Sequence, residues 1–148
     1  MSKMDVKGQI SVEYLMIALV FLIIMTTVTV PLIGKSINAS MDVSDTSDVS
    51  NAVNSIADAV GIVYANGPGS KRTVNVYFPG SGTLKVEDGS LKMPVTSVNV
   101  NGTNKIINSA IPYSNVNIAN STVTKGNYMV TVSWQTSSTT IDISLTKV

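Results

Sequence analysis

The chain contains no cysteine and no histidine. The first absence excludes a disulfide framework and a thiolate metal site. The second removes the commonest general base and the commonest transition-metal ligand. Charged residues make up only 13% of the chain, about half the share usual for a soluble domain. The net charge of +1 provides no basic field to hold nucleic acid. What is abundant is small and polar: 19 Ser, 15 Thr and 13 Asn in 148 residues. Much of the 44% hydrophobic content is gathered in the N-terminal quarter. This length holds one domain with an appended segment.

Nothing in the sequence composes a catalytic or cofactor site. Serine is plentiful, but no histidine stands ready to activate one and no G-x-S-x-G occurs; Ser81 lies between Gly80 and Gly82 as a loop. The C-terminal carboxylates are Glu87, Asp88 and Asp142, and the adjacent Glu87 and Asp88 suit a hairpin turn better than acid–base work. The stretch "GPGSKRT", residues 67–73, lacks phosphate-loop spacing. Asp42, Asp45 and Asp48 recur every three residues, which reads as a solvated helix face, since calcium would need further oxygen ligands. No metal, no cofactor and no enzymatic activity is expected.

The informative region is near the start. From Tyr14 to Gly34 there is no charged residue, and Lys35 closes the run. About 20 apolar residues at ~1.5 Å each span a hydrocarbon core of about 30 Å. In lipid such a segment is helical, because unpaired backbone groups are too costly there. Leu15, Ile17, Leu19, Val20, Phe21, Leu22, Ile23 and Ile24 make it apolar all round, unlike the single stripe of a soluble surface helix. Thr26, Thr27 and Thr29 dilute the run, and Pro31 is a site for a kink. A secretory signal peptide fits poorly: the run is too long, and no A-x-A-like site follows Pro31. A plain transmembrane anchor fits on hydropathy alone, with Lys3 and Lys7 favouring a cytoplasmic N-terminus.

A third reading comes from the residues ahead of the run. "KGQISVEYLMI", residues 7–17, resembles the class III signal sequence of archaeal type IV pilin-like proteins, the subtype whose mature chain opens Gln-x-Ser-x-Glu. Here the pattern falls on Gln9, Ser11 and Glu13, with Ile17 where leucine is usual, behind Lys7 and Gly8. The resemblance covers about the first 35 residues. It implies a leader, residues 1–8, removed by a prepilin peptidase between Gly8 and Gln9. It further implies that Glu13 pairs with the new N-terminal amine of a neighbouring subunit as helices bundle; cyclisation of Gln9 would remove that amine. The physical basis is that an unpaired carboxylate in an apolar bundle is expensive, so it selects the register in which a cation meets it. The alternative is that Glu13 sits solvated at the membrane edge. Gly8 allows close approach to the backbone, and Lys7 retains the leader in the cytoplasm.

Beyond Lys35, Val49, Val53, Ile56, Val60 and Val63 recur every three or four residues. With Ala52, Ala57, Ala59 and Tyr64 they predict a helix stripe over roughly 48–65, with Ser47 or Asp48 as a candidate N-cap and Asn66-Gly67-Pro68-Gly69 as its stop. Between the two helical stretches, "MDVSDTSD" reads as either a soft point or a short break; the resemblance favours one nearly continuous helix from about 10 to 65. From Arg72 the period changes to two. Val74, Val76 and Phe78 alternate with Asn75 and Tyr77; Asp88-Gly89 and Asn101-Gly102 mark hairpins; Val130, Val132 and Trp134, then Ile141, Ile143 and Leu145, form the last strands. Seven or eight short strands predict an antiparallel sheet or small sandwich. Pro79, Pro94 and Pro112 are expected at strand ends.

The expected fold is therefore α+β and type IV pilin-like: a long N-terminal helix, apolar over residues 9–35 and amphipathic over 36–66, then an antiparallel β-rich head over 70–148. Three N-x-S/T sequons begin at Asn38, Asn101 and Asn120. Asn101 and Asn120 fall in reachable loops, while bundled stems would cover Asn38. Removal of Lys3, Lys7 and Asp5 with the leader leaves equal numbers of acidic and basic residues, so charge would not accumulate along a fibre. The expected function is a pilin that polymerises with copies of itself in a surface filament used in attachment. Its expected partners are prepilin peptidase, the pilus assembly platform with its ATPase, and membrane lipid before assembly. The competing reading is a single-pass anchored surface module whose head binds a glycan or a neighbouring protein. The related archaellin is disfavoured by the Gln-x-Ser-x-Glu opening.

Overall fold

A computed structural model describes residues 6–100 and 103–148. One helix, α1 (Val6–Asn66), is followed by nine strands: β1 (Lys71–Phe78), β2 (Gly82–Thr83), β3 (Lys85–Glu87), β4 (Ser90–Val100), β5 (Thr103–Ala110), β6 (Val116–Ala119), β7 (Thr122–Val123), β8 (Gly126–Trp134) and β9 (Ile141–Lys147). The α+β layout with a long N-terminal helix is thus as expected. Two compact units divide the chain between Ser40 and Met41.

The helix does not break at Asp42–Asp48. Its sequence invites a turn there, because Ser and Thr hydroxyls compete for the backbone. Instead the Thr46 hydroxyl donates to the Asp42 carbonyl at 2.7 Å, a bond made within the helix itself. Neither Ser47 nor Asp48 caps anything, since both lie mid-helix. The C-terminus is where expected: the Gly67 N–H donates to the Val63 carbonyl at 3.1 Å with Gly67 at φ +81, a left-handed exit that glycine makes without strain.

Within the C-terminal unit, α1 carries the predicted inward stripe. Val49, Val53, Ile56, Val60 and Val63 are buried and join one core with Phe78, Leu84, Leu91, Val130 and Ile143. Each such side chain contributes about 1.5–3 kcal/mol on burial. No described polar or charged side chain is buried with them. Tyr64 departs from the stripe: it is 42% exposed. It lies one residue past Val63, on the last turn, where the stripe has rotated out of the core.

The strands form a four-stranded sheet ordered β1-β8-β9-β6, a three-stranded sheet β3-β4-β5 and the short pair β2-β7. Pairing is antiparallel except β6 with β9, which run parallel with Val116 opposite Ile141. The head is thus antiparallel-rich, as expected, with one parallel pair. β6 reaches β9 across the whole β7–β8 segment rather than through a hairpin, which local periodicity does not report. Asp88 (φ +51) and Gly89 (φ +67) form the predicted two-residue turn between β3 and β4. The second hairpin joins β4 to β5, and its turn, Asn101-Gly102, lies outside the described residues. Pro94 is not at a strand end: it sits inside β4 opposite Ile106. Pairing with β3 stops at Lys92, so one edge of β4 is open at Pro94 and the missing N–H costs no ladder bond.

Candidate functional site

The N-terminal unit is defined by what it leaves uncovered. Every residue from 11 to 40 is exposed in the single chain. Phe21, Leu22 and Ile24 are each more than half exposed. The helix is long and apolar enough to cross a membrane, and none of its most apolar window is buried. This is a long-range version of the exposed patch that marks a lipid or protein contact. Its few polar groups are turned back on themselves: the Thr26 and Thr27 hydroxyls donate to the Leu22 and Ile23 carbonyls, each at 2.7 Å. Hydroxyls satisfied this way are compatible with an apolar surround. Pro31 lies within the helix and supplies no N–H to the Thr27 carbonyl.

Lys7, Gly8 and Gln9 fall in the first turns of α1. Ser11, Glu13 and Ile17 follow on the same helix, all exposed. Positions 9, 13 and 17 recur every four residues and share one helix face, while position 11 lies across from them. The helix therefore places Glu13 in line with position 9 and at the mouth of the apolar run.

Of the three sequons, Asn38 is exposed on the helix in the N-terminal unit. Asn120 is exposed in the turn between β6 and β7, at φ +58, a left-handed conformation that Asn tolerates better than most residues. Asn101 lies outside the described residues. No group of three or more Asp or Glu able to hold a metal ion occurs among the described residues. The ion pairs found there join Lys92 to Asp88 at 3.1 Å and to Glu87 at 3.6 Å. The hydrogen bond to Asp88 is the main cause that holds the Lys92 ammonium above its ordinary value.

One cluster escaped the sequence reading. Tyr64 from the end of α1, Tyr113 from the β5–β6 loop and Trp134 from the end of β8 meet with ring centroids 5.3–6.1 Å apart. Tyr113 and Trp134 are half-buried at the margin of the core. The three lie far apart along the chain, and no motif joins them. The one sequence signal is negative: the segments 59–70, 106–124 and 132–141 contain no charged residue. Comparisons of the chain with protein-family models, curated proteins and solved structures found no match.

Proposed function

We propose that this chain is the structural subunit of a type IV pilus-like surface filament of the archaeal kind, used in attachment. It is inserted in the cytoplasmic membrane as a precursor and cut between Gly8 and Gln9 by a prepilin peptidase. It is then drawn by an assembly platform and its ATPase into a helical homopolymer on the cell surface. One observation carries this reading: a fully exposed apolar segment, opened by Lys7-Gly8-Gln9 and Glu13, continues without a break into the helix that forms the core of a β-rich head. Lipid satisfies such a surface before assembly, and the equivalent helices of other copies satisfy it afterwards. The contact is heterologous, so repeated rotation and rise give a fibre rather than a closed ring. Glu13 sets the register by meeting the amine freed at position 9 of a neighbour, because an uncompensated carboxylate among apolar helices is costly.

The test is mass spectrometry of the N-terminal peptide in material sheared from cells. The expected result is a chain beginning at Gln9, or its pyroglutamate, in the sheared fraction. A chain that retains Met1–Gly8 and stays in membranes overturns the proposal and leaves a single-pass anchored binding module.

A further inference from the structure

The Tyr64–Tyr113–Trp134 cluster has the chemistry of a carbohydrate-binding site, and we infer that the head binds a neutral saccharide there. This inference does not depend on whether the chain polymerises.

The rings pack on one another: 6° between Tyr64 and Trp134 and 25° between Tyr64 and Tyr113, both stacked, and a tilted 31° between Tyr113 and Trp134, with Tyr64 keeping 42% of its surface open. They stand outside the closed core, and Tyr64 is the most exposed of the three. An aromatic face carries negative charge density and an apolar surface. A pyranose offers the complement, a face of C–H groups polarised positive by the neighbouring oxygens, with hydroxyls around its rim.

The surroundings match that rim. Asn115, Gln135, Thr136 and Thr139 are exposed in the loops next to Tyr113 and Trp134 in the chain. The Asn115 amide N–H donates to the Thr139 carbonyl at 2.9 Å, which fixes the side chain and leaves its oxygen available to a ligand hydroxyl. A few placed amides and hydroxyls around an apolar platform orient a small ligand. The three ring-bearing segments carry no charged residue, and the nearest charges along the sheet, Lys71 and Asp142, both stand opposite Ser133.

The platform is also held in place before any ligand arrives. The Trp134 indole N–H donates to the Ser138 carbonyl at 2.8 Å, and the Tyr113 hydroxyl donates to the Thr139 carbonyl. The Gly69 N–H donates to the Trp134 carbonyl at 2.6 Å, and the Trp134 N–H to the Ser70 carbonyl at 2.9 Å. These bonds tie the end of α1, β8 and the β8–β9 loop together, so little ordering cost remains to be met on binding.

Trp134 is the only tryptophan, so its emission reports the site directly. The full chain, in micelles of a detergent without a sugar headgroup, is titrated with maltotriose, cellotriose and chitotriose to about 10 mM, a range that captures millimolar affinity. Saturation-transfer NMR on the same samples detects contact to the sugar C–H groups. The expected result is a saturable emission change with at least one trisaccharide, accompanied by transfer to its ring protons. Tyr64→Ala should weaken it at least about tenfold, while Tyr64→Phe retains it. Tyr64→Ala also removes two ring contacts and should lower the melt, while Tyr64→Phe should not; thermal circular dichroism confirms that both variants are folded at the titration temperature. No saturable response and no transfer with any of the three, as expected if the rings receive a protein surface instead, overturns the inference. Equal binding by Tyr64→Ala also overturns it.

Discussion

The two halves of α1 have the same backbone and opposite relations to the rest of the chain. Residues 11–40 are apolar and wholly exposed, whereas from Val49 to Val63 the same helix buries a narrow stripe against strands. The two phenylalanines make the contrast concrete: Phe21 is 62% exposed and Phe78 is 0% exposed. Hydrophobicity alone therefore does not say what a residue stabilises. In the head, apolar area is removed from water by the chain's own folding. In the N-terminal unit the same chemistry is left exposed in the single chain.

Exchanging the treatment of the two regions tests that contrast. Phe78→Ala should cost the head about 3–5 kcal/mol, through lost burial, a residual cavity and the lost edge-to-face contact with Tyr128 at 5.6 Å. Phe21→Ala should leave the same thermal melt within about 0.5 kcal/mol. Equal losses from the two substitutions would show that the regions are one cooperative unit. Next in size, Leu22→Arg places a charge within the apolar run, at about 2.5–3.5 kcal/mol for membrane insertion. The expected outcome is loss of the chain from carbonate-washed membranes with an unchanged melt for the head. The smallest effect belongs to the β3–β4 turn. Gly89→Ala meets no atom within 4 Å, so its cost is only that of a left-handed backbone, about 1–2 kcal/mol, and Gly89→Asn should recover most of it. A neutral Gly89→Ala in the melt would mean that the turn's handedness does not set the register of β3 on β4.

What could be read from the sequence followed the regular periods. The stripe at Val49, Val53, Ile56, Val60 and Val63, the alternation in β1 and β8, and the Asp88-Gly89 turn are local patterns, and each lies where it was expected. What could not be read depended on partners distant in the chain. Pro94 looked like a strand boundary because its tolerance inside β4 depends on β3 stopping at Lys92. The parallel placement of β6 on β9 has no hairpin signal. Tyr64 appeared to continue an apolar stripe, but its neighbours are rings contributed by Tyr113 and Trp134. The Asp88-Gly89 turn was legible because its residues are contiguous, and the aromatic cluster was not because its residues are scattered.

The sheet order carries one further consequence, for the timing of synthesis. β1 has no strand partner until β8 exists, with Lys71 opposite Ser133, and β8 is then flanked by β9. A ribosome adding about 5–20 residues per second takes several seconds to pass from one of these strands to the other. Throughout that interval the four-stranded sheet is incomplete, although the β3-β4-β5 hairpins can already pair. Late closure of this kind leaves the four-stranded sheet the last part of the head to be completed as the chain is made.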